Sequence, residues 1–370
     1  MGNPENFRAL LLRWLIFIGS AVVFFVVLEF VFDFFPEEEK ELRREFREAV
    51  VKTFPDQAAK VAQTFGLSRY EAISGTPGEI TPVVPTVVLI HGLDDPGKVW
   101  MNLAPKLVDE GYIVWEMRYP NDQPIVDSAR LFYQELISLR SAGIRRVAIV
   151  AHSMGGLVSR ELLTGPQIGY SDKVRAGEVP RVVGLIMVGT PNHGSALSRL
   201  RIFTEIRDQW IHMTEGKGHW LRGILDGAGE AKIDLIPGSR FLHTLNERPH
   251  PQDVNMLVIA GIASPWDQND IDRFVSATRT KANRAEQDML GDLVRFFKSV
   301  TDGLGDGLVT VESTRLDGIA HQTVRGTHLS MIRNIEEGSR RVPPAVPVIA
   351  ETLEQVFSDM DTGDGEIAEN

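Results

Sequence analysis

Five short runs of almost unbroken apolar residues alternate along the chain with segments of helical apolar spacing: Thr86 to Ile90, Tyr112 to Met117, Val147 to Ala151, Val182 to Val188 and Met256 to Ala260. A strand that is apolar at every residue, not at every second one, has both faces covered. The arrangement that covers both faces is a mainly parallel sheet flanked by helices, so the predicted fold class is α/β. In open sheets of this kind reactive groups gather beyond the carboxyl ends of the strands. At 370 residues, 43% of them hydrophobic, the chain is long enough for one large domain with appendages and needs no covalent stapling. It contains no cysteine, which excludes disulfides, thiolate metal sites and cysteine nucleophiles. A net charge of −11 lacks the basic footprint of nucleic-acid binders, so nucleic acid is not an expected partner.

The flanks differ from this pattern. From Trp14 to Leu28 every residue is apolar or small, and the apolar character continues through Phe30, Val31, Phe32, Phe34 and Phe35, broken only by Glu29 and Asp33. That reach matches a spanning helix, and no small-x-small cleavage site comes after it. Residues 1–36 are therefore expected to be an uncleaved, single-pass transmembrane anchor in the cell membrane, with Lys and Arg on both sides leaving its orientation open. Residues 37–80 read as a juxtamembrane helical segment, apolar at Leu42, Phe46, Val50, Val51, Ala58, Val61 and Ala62, with a break at Pro55. Residues 81–355 form the main domain. An acidic, disordered tail is expected over 356–370, where Asp359 to Glu366 lacks the spacing of a calcium loop.

Within the domain, the run from Val147 to Gly156 is a strand, a sharp turn at His152-Ser153-Met154, and a helix start at Gly155-Gly156. A serine on a strand-to-helix turn sits in a strained backbone state with its hydroxyl exposed, and the residues two before and two after it must be small. Ala151 and Gly155 satisfy that requirement, and Ser153 is the candidate nucleophile.

His91-Gly92-Leu93-Asp94 comes directly after the first of the five strands. Attack on a carbonyl develops negative charge on its oxygen, and two backbone N–H groups are the usual way to stabilise it. Leu93 and Met154 are the expected donors, and His91 reads as a structural hydrogen-bonding residue. The base should come last in chain order, after an acid. His328, in Gly326-Thr-His-Leu, is the first choice and His321 the reserve. For the acid, Asp306 stands between Gly305 and Gly307 directly before Leu308-Val309, with Asp302 a close competitor and Asp317 a distant one.

Together these residues resemble the bacterial lipases and esterases of the α/β-hydrolase superfamily. The resemblance rests on His91-Gly92-Leu93, Ala151 to Gly156, Gly189-Thr-Pro-Asn-His-Gly-Ser195, Gly305 to Val309 and Thr327-His328-Leu329, and spans roughly residues 85–335. It implies a catalytic triad of Ser153, Asp306 and His328. The Gly189 to Ser195 run looks structural, so His193 is not carried into the site. Unlike secreted lipases, the chain lacks cysteine and carries Asp94 and Asp95 beside the oxyanion loop.

In this fold an insertion after the fourth apolar run commonly caps the pocket. Leu200, Ile202, Phe203, Ile206, Trp210, Ile211, Trp220, Leu221, Ile224 and Leu225 stand at helical spacing, and a helical lid is expected around 196–237. The full expectation is an α/β-hydrolase fold with lid and anchor, cleaving carboxylic esters of lipid or phospholipid at the membrane through an acyl-enzyme on Ser153, without metal or organic cofactor. An acyltransferase or thioesterase using the same triad, or a non-catalytic membrane-anchored binding module, fits the same residues.

Overall fold

The computed structural model describes residues 35–70, 84–93, 97–120, 122–195, 229–263, 303, 305–336 and 338–367. Within them seven strands form one sheet: β1 (Gly66–Arg69), β2 (Thr86–Ile90), β3 (Ile113–Arg118), β4 (Arg146–His152), β5 (Arg181–Val188), β6 (Asn255–Ile262) and β7 (Ala320–Arg325). Their order is β1-β3-β2-β4-β5-β6-β7. β1 is antiparallel to β3, and every other pair is parallel. The helices are α1 (Pro36–Thr53), α2 (Pro55–Ala62), α3 (Leu103–Asp109), α4 (Ile125–Ser141), α5 (Met154–Thr164), α6 (Tyr170–Arg175), α7 (Glu230–Asp234), α8 (Arg240–Asn246), α9 (Val311–Thr314) and α10 (Ala345–Ile367).

All five expected strands form, and the reason is visible in β4. Val147, Ile149 and Ala151 pack on one face against Phe132 and Leu136 of α4 and Leu157 and Val158 of α5. Ala148 and Val150 pack on the other against Leu103 and Leu107 of α3 and Ile349 and Leu353 of α10. Successive residues alternate between two cores, so both parities must be apolar. Each fully buried side chain of the size of Phe132 contributes about 1.5–3 kcal/mol of burial free energy.

Two edge strands were not expected. β1 lies inside the 37–80 segment read as helical, and pairs Gly66 to Arg69 with Arg118 to Trp115 of β3. In β7 only Val324 is buried, so its sequence carries no apolar run. At the other end, residues 356–367 continue α10 instead of forming a disordered tail. Val356 and Phe357 are buried in the second core, and a side chain on Gly184 would press against Val356 at 3.1 Å.

The expected membrane localisation is corrected. Among the described residues no helix is long and apolar enough to cross a membrane. The apolar run from Trp14 to Phe34 lies outside them, as do Asp94, Asp95, Asp302 and the 196–228 part of the expected lid. The helix after that run is charged. α1 opens with Glu37, Glu38 and Glu39 and lies on the domain through ion pairs of Lys40 with Asp234 and of Arg47 with Glu230 and Asp127. Pro55, at the first turn of α2, lacks the N–H that would continue α1, and the two helices part at Phe54.

Candidate active site

β4 ends at His152 and α5 begins at Met154, leaving Ser153 to make the whole turn with φ 54° and ψ −128°. Among the described residues it is the only non-glycine with positive φ. A backbone state of this kind costs about 1–3 kcal/mol and persists only where its surroundings hold it. Here the Ser153 N–H donates to the Val188 carbonyl at 2.8 Å, and the Ser153 carbonyl accepts from Gly156 at 3.1 Å. The two glycines after it are forced by contact. A Cβ on Gly155 would sit 2.5 Å from the Ile90 carbonyl oxygen and 2.6 Å from that of His91, while one on Gly156 would meet the Thr190 side chain.

Gly92 closes on the serine from β2. A Cβ there would lie 2.6 Å from Ser153 Cβ and 3.2 Å from its Oγ, so the chain passes directly against the hydroxyl. His91 braces this turn: Nδ1 donates to the Gly92 carbonyl at 2.8 Å and the ring stacks on Tyr119, with centroids 4.7 Å apart. The Tyr119 hydroxyl donates to the His91 carbonyl at 2.6 Å. Leu93 is next after Gly92 and Met154 next after Ser153, so each expected N–H donor belongs to a residue adjoining the contact between Gly92 and the serine. Met154 opens α5, where a first-turn N–H has no intrahelical acceptor.

Asp306 and His328 come from loops after β6 and β7. The Asp306 carboxylate is buried; Oδ1 accepts the N–H groups of Leu308 at 2.9 Å and Val309 at 2.8 Å, and Oδ2 accepts from His328 Nδ1 at 2.6 Å. With its proton on Nδ1, the imidazole presents an unprotonated Nε2. Gly189, the residue after Val188, packs against this pair. A Cβ on it would lie 3.1 Å from Asp306 Oδ2 and 3.2 Å from His328 Cε1. Since Val188 holds the Ser153 N–H, the Val188-Gly189 link joins serine, acid and histidine at one end of the sheet.

The other candidates stand apart. His321 lies on β7 opposite Val258, bonded through Nε2 to Thr314 Oγ1 at 2.9 Å, and burial pushes its pKa below the usual value. Asp317 is exposed in the turn before β7. His193 ties two segments together, accepting nothing from the site: its Nε2 donates to the Arg315 carbonyl at 3.1 Å and its backbone N–H to that of Ser313 at 2.9 Å. Among the described residues no three His, Asp or Glu side chains are grouped to hold a metal ion. Beside the Asp306 loop opens a cavity of about 560 Å³ lined by Gly194, Ser195, Pro237, Gly307, Leu308 and Ser313.

One contributor escaped the sequence reading. His152, immediately before the serine, is buried, and its Nε2 donates to the His328 carbonyl at 2.9 Å. Only its adjacency to Ser153 pointed to it in sequence.

Residues 87–315, more than half of the chain, match the model of the alpha/beta hydrolase family. No curated protein matches the sequence. Among solved structures, the chain is similar to the mature form of the lipase BlEst2 from Bacillus licheniformis, with 20% identity over 78% of this chain and 97% of that one and a TM-score of 0.48. It is also similar to the metagenomic carboxyl esterase MGS0156, with 19% identity over 84% and 91% and a TM-score of 0.49. A third similar structure is the phospholipase PlaB from Legionella pneumophila, with 19% identity over 75% and 63% and a TM-score of 0.46. The mainly parallel sheet, the strained serine after its fourth strand and the family match together give one conclusion: the chain belongs to the alpha/beta hydrolase family.

Proposed function

We propose that this chain is a serine hydrolase that cleaves carboxylic esters through an acyl-enzyme on Ser153. The observation that carries the reading is the buried Asp306–His328 pair, bonded at 2.6 Å, beside a serine held at positive φ. His328 Nε2 takes the hydroxyl proton as Ser153 Oγ attacks the ester carbonyl, and Asp306 stabilises the imidazolium that forms. The N–H groups of Leu93 and Met154 receive the oxyanion. Collapse breaks the ester C–O bond, His328 returns the proton to the departing alcohol, and an acyl-serine remains. Water then adds to it with His328 again as base, releasing the acid and restoring the hydroxyl. Donors of this kind are each worth about 10²–10³-fold in rate.

The substrate class that fits best is an acyl ester of a lipid. Supporting it are the apolar and aromatic residues between Leu200 and Leu225, which recur at helical spacing in the sequence after β5. Hydrolysis of p-nitrophenyl esters of increasing acyl length by wild type and Ser153→Ala tests both parts. Loss of activity in Ser153→Ala and a preference for longer chains are expected. Equal rates in the two proteins exclude Ser153 as nucleophile, and a preference for acetate excludes the lipid ester.

A further inference from the structure

His328 is held at three points. Its backbone N–H donates to the Asp306 carbonyl at 2.9 Å, its Nδ1 to Asp306 Oδ2 at 2.6 Å, and its own carbonyl accepts from His152 Nε2 at 2.9 Å. The first two fix the imidazole to the acid's loop and say nothing about where the serine is. The third crosses 176 positions to the residue covalently joined to Ser153. We propose that His152 is a positioning residue, whose Nε2–H bond to the His328 carbonyl sets the distance between the base and the Ser153 hydroxyl. This rests on the assignment of Ser153 and His328 as nucleophile and base.

The surroundings of His152 show what an imidazole adds there. Its ring is buried, 4.6 Å from the His328 ring centroid at a 50° tilt, and meets Trp100 edge-on at 6.5 Å. The buried Nδ1 finds no partner among the described residues. A polar atom left so is unfavourable, so packing alone does not call for histidine. The feature that packing does not supply is the Nε2–H donor. Burial holds the His152 pKa well below the usual 6.5, with the neighbouring His328 ring adding to the effect. His152 therefore stays neutral when His328 takes up the serine proton, and the two rings do not become a pair of like charges in contact.

Three substitutions separate the donor from the ring. In His152→Leu the donor is lost. In His152→Asn the amide nitrogen stands near the place of Nδ1 and cannot reach the carbonyl, whereas in His152→Gln it stands near the place of Nε2 and can. A misplacement of about 1 Å is enough to cost on the order of 10²-fold, so kcat for ester hydrolysis should fall roughly 10–100-fold in Leu and Asn with KM nearly unchanged. His152→Gln should recover most of that loss, and its kcat–pH profile should keep the acid limb of wild type, because His152 does not titrate there. If the leucine variant does not fold, the Asn and Gln pair still decides. Wild-type kcat in His152→Asn, equal losses in Asn and Gln, or an acid limb that moves in Gln would each overturn the proposal. An inactive wild type, or activity surviving Ser153→Ala, would instead overturn the assignment of the nucleophile on which it rests.

Discussion

Asp306 and His328 are joined twice: side chain to side chain at 2.6 Å, and backbone N–H of His328 to backbone carbonyl of Asp306 at 2.9 Å. The doubled link means the imidazole has one orientation relative to the acid, set by the main chain as well as by the carboxylate.

That arrangement separates charge from scaffold. In Asp306→Asn an oxygen can still accept from the Leu308 and Val309 N–H groups, so the loop is retained, while an amide nitrogen facing Nδ1 forces the other tautomer on His328. The variant should fold with a wild-type circular dichroism spectrum and lose about 10³–10⁴-fold in kcat. In Asp306→Ala the two backbone N–H groups lose their acceptor as well, and unfolding in urea should show a further loss of about 1–3 kcal/mol. An Asn variant within tenfold of wild type would point to another carboxylate as the acid.

Ser153 stores strain that glycine would release. Its φ of 54° is disfavoured for any residue with a Cβ. Ser153→Gly should therefore be more stable than Ser153→Ala by about 1–2 kcal/mol once the greater flexibility of unfolded glycine is subtracted. Urea midpoints of the two inactive proteins give the comparison directly. A less stable glycine variant would mean that the turn is not strained.

The contact between α1 and the domain carries a pH dependence. Glu230 of α7 is fully buried; burial pushes its pKa from 4.5 to about 7, with Asp127 and Asp234 adding to the rise and Arg47 and Lys40 opposing it. Between those values the folded protein holds a proton that the unfolded chain has released. Stability from this group accordingly falls as pH rises through the window. Asp234 is also raised by burial, with the same sign, so total slopes mix the two. The difference between wild type and Glu230→Gln isolates Glu230. Urea midpoints measured from pH 5 to pH 8 should converge at the acid end, with wild type falling behind the variant as pH rises; a constant difference would contradict the assignment.

The chain announced its buried strands and concealed its edges, for one physical reason. A strand covered on both faces, like β4, must be apolar throughout and stands out in sequence, whereas β7 buries only Val324 and β1 has four residues. The domain was expected to end at 355 because the residues beyond it are acidic, but Val356 and Phe357 are core residues and the helix carries on through them. At the site, Ser153 was legible because a strained turn demands small neighbours at fixed offsets. Asp306 and His328 were singled out in sequence as loop residues near glycines in the expected chain order, ahead of Asp317 and His321; the fold adds that these two are bonded at 2.6 Å, while Asp302, the closer competitor, lies outside the described residues. His152 and Tyr119 were hidden, since their partners lie at positions 328 and 91 and no local pattern records a bond of that span.

Tyr119 offers a test of how the loop facing the serine is held. Its hydroxyl donates to the His91 carbonyl at 2.6 Å, and the same stretch places Gly92 against Ser153 Oγ and leads into Leu93. Tyr119→Phe keeps the ring that stacks on His91 and removes the hydroxyl that donates to the buried residue's carbonyl. The loss in stability should be about 1 kcal/mol, typical of one hydrogen bond. If the Leu93 N–H receives the oxyanion, loosening this turn weakens a contact made in the transition state, so kcat should fall by roughly 3–10-fold with KM little changed. A variant that loses stability but keeps full kcat would separate the brace from the chemistry and move the oxyanion donor away from Leu93.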